Sequence, residues 1–287
     1  MDQGYESMFA FGILVKLAWQ KIDISFNEHN NEFMYHCDSN QFYLRLPDIA
    51  HFLAIPTENS IIIEKATEEI SIDVLNTWLL GTMMAYILQY HDYTVLHGSA
   101  VLINGGAVIF SGQSGAGKST LASALVQKGY PFITDDLVVI KRNHQGQYCI
   151  IPGPAKLKLW QNAMQHFNYD INYATPVSLK DNKYAVHVAD ASTAAMIPIT
   201  TFYELTINNQ AEAYHCETFH AAASLKTLMQ NAYRYFMLKP LGKMQTFFQD
   251  CSALHQQITV HRITRTAHFH ELPKIIQRIE INQGITP

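Results

Sequence analysis

The chain has 287 residues, of which 48% are apolar and 15% charged, with a net charge of −4. This is globular composition, long enough for a sizeable core in one or two domains. The acidic balance and the lack of any Lys/Arg run exclude nucleic acid as the main partner.

The polar, acidic start Met1-Asp2-Gln3-Gly4-Tyr5-Glu6 does not read as a signal peptide. Cys37, Cys149, Cys216 and Cys251 are widely spaced and form no C-x-x-C, so a reduced, cytoplasmic chain is expected. The fourteen histidines show no recognised ligand spacing, and no structural metal is expected from them.

Residues 1–72 alternate short apolar runs with polar breaks, among them Phe9–Val15, Phe42–Leu46 and Ser60–Glu64. This pattern predicts a small β-rich region, with a catalytic domain over 73–287. Val74–Tyr90 is the one long apolar stretch, interrupted by Asn76, Thr77 and Gln89. It is short for a comfortable span and reads as a buried helix, not a membrane segment.

His97-Gly98-Ser99-Ala100-Val101 starts a strand that turns through Asn104-Gly105-Gly106 into the apolar run Ala107–Phe110, which predicts a hairpin. A histidine at the start of that strand is placed to bond a carboxylate or an acceptor. Gly112-Gln113-Ser114-Gly115-Ala116-Gly117-Lys118-Ser119-Thr120 follows, a full match to G-x-x-x-x-G-K-[ST]. A helix pattern continues to Gly129, so strand, glycine loop and helix arrive in the required order.

Glycines allow positive φ, so successive amides converge on one point, and the helix start adds unpaired donors. Gly112, Ser114, Gly115, Ala116, Gly117, Lys118, Ser119 and Thr120 are therefore the expected cradle for a nucleoside triphosphate. Lys118 supplies a charge to the β/γ-phosphates and Ser119 a hydroxyl to Mg²⁺. Nothing in the loop chooses between ATP and GTP.

Asp135-Asp136 closes the apolar stretch Tyr130–Thr134, at the same predicted sheet edge as the loop. One carboxylate is expected to share the metal with Ser119 and the other to take a proton from an incoming hydroxyl, and the residues alone leave open which does which. Adjacent side chains alternate along a regular strand, so both serve one site only at a strand end or a bulge.

Asn143–Gln147 reads as a hairpin turn, and the polar segment Asn168–Ala189 as a long loop over a site. Lys180, Lys183 and His187 lie in or beside it, with Lys183 favoured as a phosphate contact. A strand is predicted over Ile197–Leu205, helices over Thr218–Leu238, Lys243–His255 and His270–Ile279, and a strand from Ile258. Arg234, late in its helix, is a candidate contact for an acceptor phosphate or carboxylate.

Together, His97-Gly98-Ser99-Ala100, Gly112–Thr120 and Asp135-Asp136 resemble the catalytic domain of HPr kinase/phosphorylase. Leu157-Lys158-Leu159-Trp160, Lys183-Tyr184 and Asn231-Ala232-Tyr233-Arg234 also fit. The likeness is greater to the HPr-kinase-like kinases found beside lasso-peptide biosynthesis enzymes, which phosphorylate a serine of a precursor peptide. The resemblance implies a P-loop kinase core of the HPr kinase / phosphoenolpyruvate carboxykinase-like α/β type, using ATP and Mg²⁺. It assigns phosphate and metal binding to Lys118 and Ser119 and the base to Asp135, with Asp136 left to share the metal and His97 in support.

The chain departs from HPr kinases proper at Thr120, where they carry glutamate, and it lacks their Gly-Arg-Asn signature. HPr itself is therefore not the expected acceptor. The expected function is a serine kinase acting on a small protein or peptide, with a homo-oligomer allowed by analogy. An ATP-sensing regulator and a partner-coupled NTP hydrolase are the alternatives.

Overall fold

The computed structural model describes residues 6–23, 34–177, 182–210 and 213–286. The fold is mixed α/β, in two compact units: Met1–Tyr93 with Arg234–Phe247, and Thr94–Tyr233 with Phe248–Pro287. Lys180 lies outside the described residues.

In the first unit, strands β1 (Glu6–Ala10), β2 (Ile13–Trp19), β3 (Met34–Cys37), β4 (Phe42–Leu46), β5 (Ala50–Ile55) and β6 (Ser60–Lys65) form one sheet, ordered β1-β2-β6-β5-β4-β3. Strand β2 shows the expected period of two: Ile13, Val15 and Leu17 are buried while Leu14 and Lys16 face out. A helical segment follows as α1 (Ile72–Trp78), a π turn over Leu79–Met83, and α2 (Met84–Tyr90). Ser71 caps it, its side chain accepting from the Val74 amide.

Tyr86 of α2 packs its ring 5.4 Å from that of Phe42 and donates its hydroxyl to the Asp38 carbonyl. The helix therefore belongs with the β-rich unit, and the division falls after Tyr93 instead of after residue 72. An apolar helix serves whichever core it meets, so its sequence does not say to which unit it is joined. Among the described residues no helix is long and apolar enough to cross a membrane, and all four cysteines are free.

The second unit is built on β7 (Thr94–Ile103), β8 (Gly106–Ser111), α3 (Lys118–Gln127), β9 (Phe132–Arg142) and β10 (Tyr148–Ile151). Next come β11 (Lys156–Trp160), α4 (Gln161–His166), β12 (Thr175–Pro176), β13 (Lys183–His187), β14 (Ile197–Ile207), β15 (His215–Phe219) and α5 (Ala221–Gln230). Helix α6 (Met244–Gln257) runs from the first unit into the second, followed by β16 (Thr259–Arg265) and α7 (Leu272–Asn282).

The main sheet has seven strands in the order β10-β9-β7-β8-β14-β16-β15, and β10 also pairs with β14. Strand β8 runs parallel to β14, and β14 parallel to β16. The β7–β8 hairpin closes through Asn104 (φ 48°) and Gly105 (φ 79°), both left-handed, as a two-residue turn requires. The β9–β10 turn is held by the Asn143 side chain, which accepts from the Gln145 and Gln147 amides.

Three expectations change. Strand β9 does not end at the acidic pair but continues to Arg142, because Leu137–Ile140 are as buried as Phe132 and Ile133 and stay on the β7 ladder. The segment 168–189 is not one loop. Thr175–Pro176 and Lys183–His187 join Lys156–Trp160 in a three-stranded sheet. Finally, the predicted helix 218–238 shortens to α5. The Tyr233 amide donates to the Val95 carbonyl and Leu96 bridges Ala232, drawing the chain onto β7.

Candidate functional site

The loop between β8 and α3 takes its shape from three glycines at positive φ: Gly112 (131°), Gly115 (85°) and Gly117 (94°). Two of them also meet a steric need. A Cβ on Gly112 would stand 2.3 Å from the Leu205 carbonyl oxygen, and one on Gly117 would stand 2.5 Å from the Arg265 guanidinium. Gln113, Ser114 and Gly115 are exposed, whereas Ala116 is buried and fastens the loop to the core. Lys118 folds back over the loop, donating to the Gly112 and Gln113 carbonyls at 3.0 Å each. Burial lowers its ammonium pKa; Asp135 opposes that shift and Lys183 adds to it.

The acids meet the loop at the level where β8 ends. Asp136 pairs with Gly98 across the sheet, and Gly98 pairs with Ser111. Asp135 accepts from the Ser119 hydroxyl at 2.9 and 3.1 Å, from the Ser99 hydroxyl, and from the Lys158 backbone amide at 2.8 Å. Asp136 receives the Lys158 ammonium at 2.8 Å and faces His97 Nδ1 at 3.3 Å. Both successive carboxylates thus reach one residue of β11. The irregularity that allows it is local: Asp136 has φ 77° in mid-strand. A non-glycine residue in that region is uncommon, although aspartate tolerates it better than most.

Burial alone would raise the Asp136 carboxyl pKa, but the Lys158 charge and the His97 hydrogen bond outweigh it and hold it well below the usual carboxylate range. The unfolded value is near 4, so the stability this anion contributes is present above about pH 4 and lost as pH falls further. Urea midpoints of the parent and Asp136→Asn should differ by a constant amount between pH 7 and pH 5. The gap should narrow below about pH 4. A gap that holds unchanged to the acid limit of folding would remove this carboxylate from the account.

A second polar cluster lies behind the loop. The Ser111 hydroxyl donates to the Asn231 side chain at 2.7 Å, and Asn231 in turn donates to Glu204 at 3.3 Å. Arg262 donates to the same Glu204 at 2.9 Å, and the His97 amide to the Asn231 carbonyl at 2.8 Å. These contacts fix the end of β8, where the loop departs, and the strand that carries His97.

His97, Lys118, Ser119, Asp135 and Asp136 are therefore brought together, as a cluster within the second unit. His97 is fourth in β7 instead of first, since Thr94–Leu96 continue the ladder with β9. Ser119 meets Asp135, not Asp136 as expected for a shared metal, because Asp136 is engaged by Lys158 and His97. Thr120 lines a cleft with Gly115 and Gly117. Lys183 is half-buried at the start of β13, its ammonium 5.9 Å from the Trp160 ring, and its charge is felt at Lys118. Arg234 belongs to the first unit; it is exposed, past the end of α5, at φ 49°.

Ser99 and Lys158 were not singled out from the sequence as site residues. The run Lys156-Leu157-Lys158-Leu159 did carry a signal: its leucines are buried at 0% and 1% exposure, so its lysines share the opposite face. Nothing local told where that face would point. Among the described residues no group of three or more His, Cys, Asp or Glu side chains is placed to hold a metal.

Residues 89–158 match the family model described as HPr Serine kinase C-terminal domain. The matched segment holds His97, the loop, both aspartates and Lys158. The chain is similar to HPr kinase/phosphorylase from Halalkalibacterium halodurans, 34% identical over 103 residues, which is 34% of this chain and 32% of that protein. It is also similar to HPr kinase/phosphorylase from Limosilactobacillus reuteri, 38% identical over 94 residues, 31% of this chain and 28% of the relative. The chain spans about a third or less of the length of these curated relatives. A solved structure, Hpr(Ser) kinase/phosphatase from Coxiella burnetii, matches with a TM-score of 0.35 and 14% identity, covering 66% of this chain and 90% of that one.

Proposed function

We propose that the protein is an ATP- and Mg²⁺-dependent kinase that moves the γ-phosphoryl group to a serine hydroxyl of a small protein or peptide. The observation that carries this reading is the contact of Ser119, at the helix end of the glycine loop, with Asp135 at 2.9 Å. A hydroxyl and a carboxylate are hard oxygen donors, and magnesium takes one or two such groups and completes its shell with water and phosphate oxygens. The residues present thus suit the ion, with Ser119 and Asp135 as its protein partners. Bound there, Mg²⁺ would supply positive charge to offset the charge that develops on the phosphate oxygens.

The chain's own residues supply the rest. The glycine loop and the start of α3 receive the phosphates, and Lys118 exchanges its two loop carbonyls for phosphate oxygens. Asp135 is held by neutral donors, two hydroxyls and an amide, and it is the group that takes the acceptor proton. Asp136, tied to Lys158 and His97, is the poorer base. It serves as a fixed anion that keeps that ammonium and imidazole beside the reacting groups. A hydroxyl on a peptide is the acceptor that this chemistry and the similarity to HPr kinase/phosphorylases both favour. A lasso-type precursor peptide is the candidate that the sequence resemblance adds.

The test incubates the pure chain with γ-labelled ATP, Mg²⁺ and peptides carrying C-terminal or internal serines. Label should appear on a peptide and fall at least a hundredfold with Lys118→Ala, roughly the loss of one charged transition-state contact. Free phosphate with no labelled peptide would instead identify an NTP hydrolase.

A further inference from the structure

Strand β16 ends at Arg265, which is only 4% exposed. Among the described residues its Nε and Nη1 have no hydrogen-bond partner. The acid that acts on it through space, Glu271, is already committed to Thr266, accepting from its amide and its hydroxyl at 2.9 Å each. An arginine cannot shed its proton to escape such a place, so a buried, underbonded guanidinium is costly unless an anion completes it.

Its surroundings indicate which anion. Arg265 lines a cleft of about 560 Å³ together with Gly115, Gly117 and Thr120, and with Trp160 and Phe269 farther along the wall. That volume suits a nucleoside-sized ligand. The loop makes room for the guanidinium, because Gly117 is the residue whose missing Cβ lets Nη2 approach. Neither Lys118 nor either aspartate lines this cleft. The cleft that Arg265 lines is thus walled by residues other than those assigned to the transfer.

We infer that Arg265 is a second anchor for the phosphate chain of the nucleotide, gripping it on the nucleoside side of the loop while Lys118 serves the transferring end. The inference rests on the nucleotide-binding reading above. A planar guanidinium suits two phosphate oxygens at once, as an ammonium does not. The residue binds and does not take part in the transfer, so its loss should raise KM for ATP while leaving kcat within a few-fold.

The test titrates the full chain with Mg-ATP and with Mg-tripolyphosphate, using Arg265→Met, which keeps much of the volume, and Arg265→Lys, which keeps the charge. Arg265→Met is expected to weaken both ligands at least tenfold. It should also melt no lower than the parent without ligand, since an uncompensated buried charge has gone, and lose most of the ATP-induced rise in Tm. Arg265→Lys should weaken ATP at least threefold with its fold intact, which keeps the inference testable if the methionine variant does not fold. Parent-like Kd values in a folded variant would overturn the role of Arg265 and leave the nucleotide reading standing. A parent chain that binds neither ligand would overturn both.

Discussion

Asp135→Asn is expected to abolish phosphoryl transfer, lowering kcat by about a thousandfold or more. General-base contributions alone run to about 10²–10⁴-fold, and this carboxylate, hydrogen-bonded to Ser119, is also the proposed magnesium partner. The amide is nearly isosteric: its oxygen can still accept from the Lys158 amide while its NH2 donates to the Ser99 hydroxyl oxygen, so the fold should survive. ATP affinity should change far less than kcat, the reverse of the pattern set out for Arg265. Single-turnover rates beside equilibrium ATP titrations separate the two. An Asp135→Asn protein that is folded and keeps a tenth of the parent's kcat would remove the carboxylate from the chemistry.

The second large effect is on the backbone. Gly112→Ala should destabilise the second unit by about 3 kcal/mol, through strain at φ 131° and a clash that only backbone movement relieves. The neighbour is the Leu205 carbonyl of β14, at 2.3 Å from the added carbon, and it belongs to the parallel ladder with β16. A loss of this size lowers Tm by about 6–12 °C in a domain of this size. Gly129→Ala is the comparison. Its φ of 98° is also left-handed, but no atom lies within 4 Å of the added carbon, so only the conformational cost of about 1 kcal/mol remains. Equal melting points for the two variants would show that the close approach to Leu205 is not what requires glycine at position 112.

How much of this was legible in the sequence depended on how local the cause was. The glycine loop was fully legible, since cradling a phosphate needs contiguous residues of fixed type and the flanking strand and helix have their own periodicities. The β7–β8 hairpin was legible for the same reason, through Asn104-Gly105. The partner of the acids was not. Lys158 lies 22 residues beyond Asp136 in the sequence (158 − 136), and only the packing of β11 beside β9 makes it a ligand to both carboxylates. Arg265 was hidden likewise, as the last residue of a strand whose sequence says only that it alternates.

Asp135-Asp136 stood between these cases. Two successive acids on one strand required a departure from alternation, and the sequence raised that requirement without saying how it would be met. It is met by a left-handed Asp136 with the ladder continuing on either side, not by the strand ending. The segment 168–189 reads as a loop because its two short, polar strands, paired with β11 in a small sheet, look like one in composition.

That left-handed residue has one more consequence. At position 136 a single side chain encodes both a bend and a charge, so the two demands cannot drift apart. Asparagine would keep the bend and surrender the charge, while glutamate would keep the charge and resist the bend. The vocabulary open to this position is therefore far narrower than an acidic surface site would allow, and comparing those two replacements would reveal which demand the chain obeys first.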